Sequence, residues 1–112
     1  MFVKSFTFFD RKRRKEDLSK TISELLSNPN NGVGLQLQVD GSNIDITIEC
    51  RINNDSQQEW HNVGAISLLD YRIYPTITKA GEYQISMDGI NYCRIIDNGS
   101  GDDLAVYGNL TA

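Results

Sequence analysis

Residues 77–108 constrain the fold more than any other part of this 112-residue chain. Short apolar stretches there are separated by two glycine turns and one polar loop (80–81, 88–89 and 97–103). In the first stretch Tyr83, Ile85 and Met87 alternate with polar residues, so one face of a strand can be buried while the other faces water. Short strands joined by turns are typical of mainly-β domains, and we predict a single antiparallel β-sandwich or a small barrel.

The same alternation of apolar and polar residues occurs over 33–39 and 44–52, on either side of the turn residues 40–43. This pattern predicts a β-hairpin with one apolar face in the core, on which Ile46 and Ile48 are both buried. Further strands are expected over 2–9, 60–69, 71–78, 82–87, 90–96 and 104–107.

The N-terminal third has a different period. Leu18, Ile22, Leu25 and Leu26 form one apolar stripe at helical spacing, which predicts an amphipathic helix over 14–27 that ends before Pro29. We therefore expect one domain over residues 1–112. Its N-terminal strand, basic block and helix would occupy 1–32, and its β-sandwich core 33–112.

Composition points to a protein that is made and kept in a cytosol. No apolar run approaches the roughly 20 residues of a membrane span, and the positive charges follow the first apolar stretch, unlike those of a signal peptide. We expect no membrane contact. In a cytosol, Cys50 and Cys93 would be reduced thiols packed as small hydrophobic groups, and we predict no disulfide between them.

Charge is divided unevenly along the chain. Residues 1–20 hold seven Lys or Arg against three acids, and residues 21–112 hold four against twelve. A basic block lies in the first part and comprises Arg11, Lys12, Arg13, Arg14 and Lys15. Such a block can be a solvated surface, meet an acidic protein or bind nucleic acid. We predict that it binds a protein partner, because phosphate would repel the acidic remainder of the chain.

The residues that enzymes and metal sites require are absent or badly spaced. His61 is the only histidine, and Cys50 and Cys93 belong to no CxxC motif. The loop 97–103 has glycine where an EF-hand needs side-chain ligands, so we expect it to be a connector. The sequence therefore predicts a non-enzymatic protein with no catalytic residues, no bound metal and no cofactor.

Four segments carry a resemblance to a known class of proteins. A polar turn over 53–56 leads to Trp60, and the segments 80–85, 88–95 and 104–108 follow with their glycine turns. Over residues 33–112 this pattern resembles the small β-sandwich proteins of tailed bacteriophages that decorate, stabilise or join heads. The resemblance implies a structural or assembly role in the virion after assembly in the host cytoplasm. It also implies a homo-oligomer that contacts capsid or other virion proteins.

Other functions remain as alternatives. A small ligand-binding module, for carbohydrate above all, could use Trp60, Tyr71, Tyr74 and Tyr83 as a stacking platform. A nucleic-acid-binding protein would instead use the basic block.

Overall fold

The computed structural model describes residues 3–10, 20–28, 32–52 and 59–111, which form ten strands in two antiparallel sheets. One sheet has six strands in the order β1-β10-β3-β8-β6-β7, and the other has four in the order β2-β9-β4-β5. The predicted mainly-β class is confirmed. The strands are β1 (Val3–Phe9), β2 (Leu26–Ser27), β3 (Gly34–Asp40), β4 (Ile46–Arg51), β5 (His61–Val63), β6 (Ala65–Ser67), β7 (Ile73–Tyr74), β8 (Gly81–Ser86), β9 (Tyr92–Asp97) and β10 (Ala105–Thr111).

The two sheets bury their alternating apolar residues in one shared hydrophobic core, as the sheets of a β-sandwich do. From the six-stranded sheet, β3 contributes Leu35, Leu37 and Val39, and from the four-stranded sheet β4 contributes Ile46 and Ile48. All five side chains are buried. The predicted burial of Ile46 and Ile48 on one face is thereby confirmed.

The predicted hairpin between these two strands is wrong, because β3 and β4 lie in different sheets. β3 pairs with β10 and β8, whereas β4 pairs with β9 and β5. The chain crosses from one sheet to the other through a turn in which Gly41 has a φ of 147°, a conformation that favours glycine. Alternation shows which side chains of a strand are buried. It does not show in which of the two sheets the strand lies, because both sheets bury one face in the same core.

The predicted helix is also wrong over residues 20–27, which are extended and lie along β9. Leu26 is fully buried, but Ile22 and Leu25 are 48% and 45% exposed, so the predicted stripe does not face the core as a unit. Ser23 donates its backbone amide to a carbonyl of β9 over 2.9 Å. Pairing with this strand overrides the helical period, because most helical stability comes from tertiary packing and not from local propensity. Residues 11–19 lie outside the described residues.

A buried asparagine closes the connection between β2 and β3. The side-chain amide of Asn28 donates to the carbonyls of Gly32 and Ile90, each over 2.9 Å, and its oxygen accepts the amide of Gly32 over 2.7 Å. These three hydrogen bonds hold the chain before β3 against the segment that leads into β9. Within the described residues, no helix is long and apolar enough to cross a membrane.

Candidate interaction surfaces

The connection between β6 and β7 displays large apolar side chains to solvent. Leu69 is 91% exposed, Tyr71 78% and Ile73 69%. We refer to residues 68–73 as the β6–β7 tip. Apolar side chains that project together from a polar surface are a mark of protein interaction sites.

Hydrogen bonds from neighbouring side chains and backbone groups hold this tip in shape. The amide of Tyr71 donates to the carbonyl of Ser67 over 2.8 Å, and the amide of Leu69 donates to the Ser67 hydroxyl over 3.2 Å. The amide of Arg72 donates to the carboxylate of Asp70 over 3.0 Å. The exposed side chains therefore project from an ordered turn.

Tyr71 has an unfavourable backbone conformation. Its φ is 59°, and it is the only non-glycine residue with a positive φ among the described residues. This left-handed conformation costs an L-residue roughly 1–2 kcal/mol. Strain of this kind is concentrated at functional positions, where the surrounding structure enforces it. The backbone of Tyr71 is thus held in this conformation at a cost to stability.

A cleft of about 420 Å³ lies beside the tip. Its polar lining includes Asp70, Tyr74, Lys79 and Glu82. The hydroxyl of Tyr74 donates a hydrogen bond to the Asp70 carboxylate, which lowers the pKa of Asp70 and raises the pKa of Tyr74. This pair keeps one carboxylate ionised at the boundary between the cleft and the tip.

A second surface lies on the outer face of the four-stranded sheet. The guanidinium carbons of Arg51 and Arg94 lie 4.5 Å and 4.0 Å from the centre of the Trp60 ring. Arg94 also forms an ion pair with Glu49 over 2.8 Å, and Arg51 lies 5.6 Å from the ring of Tyr92. We call these five residues the Arg–Trp cluster. These cation–π contacts hold Trp60 against the sheet, and the two guanidinium groups cover its ring.

The four aromatic residues of the predicted carbohydrate platform are divided between these surfaces. Trp60 belongs to the Arg–Trp cluster, whereas Tyr71 lies on the tip and Tyr74 and Tyr83 line the cleft. Tyr83 is buried, and its hydroxyl donates to the carbonyl of Lys79 over 2.7 Å. The structure therefore does not assemble the four rings into one stacking surface.

Two adjacent leucines in the sequence indicate the tip, although the predicted strands did not take them into account. Leu68 and Leu69 are neighbours, and successive side chains of a strand point to opposite faces, so both cannot enter the core from one strand. A polar and an aromatic residue follow them, Asp70 and Tyr71. Residues 68–71 therefore fit two interpretations equally well. They can form an exposed apolar turn, or they can belong to the strands predicted over 60–69 and 71–78.

The remaining predicted sites have different outcomes. Within the described residues, no group of three or more His, Cys, Asp or Glu side chains could hold a metal ion. In the loop 97–103, Asp97 is buried and accepts the amides of Gly99 and Ser100 over 3.1 and 2.7 Å, so it organises the loop from inside. The basic block (residues 11–15) lies outside the described residues, and its role in partner binding stays a prediction.

Comparison with known proteins identifies related folds. No family model and no curated protein matches the chain. Among solved structures, the SPBc2 prophage-derived protein YomS superposes with a TM-score of 0.78 at 14% identity, over 99% of this chain and 94% of that one. The PBSX exported protein XepA gives a TM-score of 0.75 at 13% identity, over 97% of this chain and 37% of that one.

These similarities confirm the predicted resemblance to phage proteins at the level of the fold. They also extend it, because they include the N-terminal third that the sequence pattern left out.

Proposed function

We propose that the protein is a non-enzymatic structural or assembly protein of a phage particle, in a head decoration, stabilisation or joining role. It acts by contacting capsid or other virion proteins and further copies of itself. The observation that carries this proposal is the β6–β7 tip, where Leu69, Tyr71 and Ile73 project from an ordered turn. The fold shared with the SPBc2 prophage-derived protein YomS supports a phage origin.

The chemistry of the tip suits protein binding. A few anchors, most often tryptophan, tyrosine or arginine, supply most of the energy of a typical interface, and Tyr71 lies next to Arg72 in this short turn. Because hydrogen bonds already order the turn, binding loses less conformational entropy than it would with a flexible loop. The tip includes the first residue of β7, an edge strand of the six-stranded sheet.

Replacing Tyr71 by Asn should separate binding from stability. Asparagine tolerates the left-handed conformation better than tyrosine, so we expect the free energy of unfolding to be unchanged or to rise by up to about 1 kcal/mol. We expect self-association to weaken at least about tenfold, because the central aromatic anchor is lost. Light scattering after size-exclusion chromatography and sedimentation velocity measure the association.

The matched control is Val33→Asn, since Val33 is 53% exposed but lies outside the tip. This control should assemble like the wild type. If Tyr71→Asn and Leu69→Asn also assemble like the wild type, the tip is not the interface.

Salt should test the part played by the basic block. Changing Arg11, Lys12, Arg13, Arg14 and Lys15 together to Ser should weaken assembly at low salt. We expect the folding midpoint to stay nearly unchanged, because the sequence predicts a solvated block and solvated charges contribute little to stability. Wild-type assembly should weaken between 0.1 M and 1 M salt, as the Debye length falls from about 10 Å to about 3 Å. If the variant assembles normally but loses affinity for DNA, the block binds nucleic acid.

A small ligand-binding module is the alternative, and the cleft beside the tip favours it. The volume of the cleft, about 420 Å³, lies within the usual range for ligand sites of about 300–1,000 Å³. A wild-type chain that stays monomeric, and whose cleft amides shift in NMR titrations with simple sugars, would favour this alternative over the assembly role.

A further inference from the structure

Two cysteines that are far apart in the sequence meet at the centre of the four-stranded sheet. Cys50 in β4 lies directly opposite Cys93 in β9. Both are buried, and both are free thiols. Neither takes part in the surfaces described above, so their juxtaposition is a separate feature of the fold.

The backbone hydrogen bonds of β4 show in which direction the backbone groups of Cys50 point. Ile46 receives a hydrogen bond from the amide of Ile77 over 2.9 Å and donates its own amide to the Ile77 carbonyl over 3.1 Å. Both backbone groups of Ile46 therefore point away from β9. Backbone direction alternates along a strand, so Cys50, four residues later, also turns its backbone groups away from β9.

β9 shows the same orientation from its own side. The carbonyl of Ile95 accepts the amide of Ser23 over 2.9 Å, and the amide of Ile95 donates to the Ser23 hydroxyl over 2.8 Å. Ile95 is thus turned away from β4, and so is Cys93, two residues earlier. The cysteines form a non-hydrogen-bonded antiparallel pair, in which Cα atoms lie about 4.5 Å apart. The Cα atoms of a disulfide usually lie about 4.4–6.8 Å apart, so this pair falls within the range, at its short end.

The environment of the two thiols controls how they react. A hydrogen bond with Cys50, together with burial, raises the pKa of the Cys93 thiol well above its ordinary value. The thiolate is the reactive form, so the folded protein reacts slowly with oxidants. Oxidation should be fastest while the chain folds, when the strands pair before the core has closed.

We propose that Cys50 and Cys93 are an oxidation site that forms a cross-strand disulfide when the protein folds in the presence of a disulfide oxidant. The thiolate of one cysteine attacks the oxidant and releases one oxidant thiol. The second cysteine then attacks the resulting mixed disulfide and releases the other. Two electrons pass to the oxidant, and the two cysteine protons end on the two released thiols.

The bridge would restrain a large part of the chain. The closed loop runs from β4 to β9 and contains β5 of one sheet and β6, β7 and β8 of the other. A disulfide that closes a loop of this size strongly reduces the conformational entropy of the unfolded state. We therefore expect oxidation to raise the thermal midpoint by on the order of 10 °C.

The experiment refolds the full wild-type chain in buffers with increasing ratios of oxidised to reduced glutathione. Free thiols are then counted in denaturant, the intact mass is recorded and the linked peptides are mapped. We expect no free thiols, loss of two hydrogen atoms from a monomeric chain, and one linked peptide pair that joins Cys50 to Cys93. The thermal midpoint is compared between oxidised and reduced wild type, so the main result does not depend on any variant.

Cys50→Ala and Cys93→Ala are the matched controls. Each should retain one thiol that is free or carries glutathione, and neither midpoint should rise on oxidation. The proposal is overturned if both wild-type thiols stay free or glutathionylated at every ratio, if only intermolecular bridges form, or if the internal bridge lowers the midpoint.

Discussion

Ile46→Ala is expected to lower the free energy of unfolding by about 2–5 kcal/mol. Ile46 is fully buried, and both of its backbone groups bond to Ile77, in the segment between β7 and β8. The substitution removes apolar surface from the shared core and leaves a cavity that the two sheets cannot easily fill. Urea unfolding followed by tryptophan fluorescence and circular dichroism measures the loss.

A chemically identical substitution provides the control for Ile46. Ile52 belongs to the same alternating stretch of sequence but is 61% exposed, so Ile52→Ala should change stability by less than about 0.5 kcal/mol. If Ile46→Ala is as mild as Ile52→Ala, the inward face of β4 is assigned wrongly, since a slip of one residue would turn Ile46 to the solvent.

Asn28→Ala is expected to cost about 2–4 kcal/mol, an effect that apolar burial does not explain. The side chain makes three hydrogen bonds to backbone groups of Gly32 and Ile90, and Asn28 itself is buried. Alanine cannot replace these bonds, so buried donors and acceptors would lose their partner. Chemical denaturation measures the cost, and faster hydrogen exchange at the Gly32 amide would locate it.

The control for Asn28 is Asn91→Ala. Asn91 lies beside it, and its carbonyl accepts the backbone amide of Asn28 over 2.8 Å, but its side chain is exposed. A change within about 0.5 kcal/mol is therefore expected for Asn91→Ala. If Asn28→Ala is equally mild, water replaces the lost hydrogen bonds and the connection from β2 to β3 does not depend on this side chain.

The residue that we propose as the main binding determinant, Tyr71, lowers the stability of the fold. Ile46 and Asn28 serve the fold, and changes there should lower the free energy of unfolding. Tyr71 is strained and exposed, so its replacement should leave the fold intact while it weakens association. The opposite responses of these positions separate a surface that binds from the framework that holds it.

Alternation in the sequence determined which residues enter the core. Strand side chains repeat with a period of two, so the apolar positions of β3, β4 and β8 had only one face on which they could be buried together. Ile46, Ile48, Tyr83 and Ile85 are buried as predicted. Glycine turns and the absence of long helical patterns after residue 33 likewise led to the mainly-β class from local information alone.

Only the tertiary structure decided which strands became neighbours. β3 and β4 are consecutive and equally amphipathic, yet they lie in opposite sheets, and residues 20–27 lie along β9 despite their helical period. Pairing of β4 with β9 also brings Cys50 to Cys93, and the turn between β6 and β7 leaves Tyr71 exposed. The physical reason is that burial depends on a residue's own hydrophobicity, whereas strand partners and surface exposure depend on backbone hydrogen bonds and contacts with segments remote in the chain.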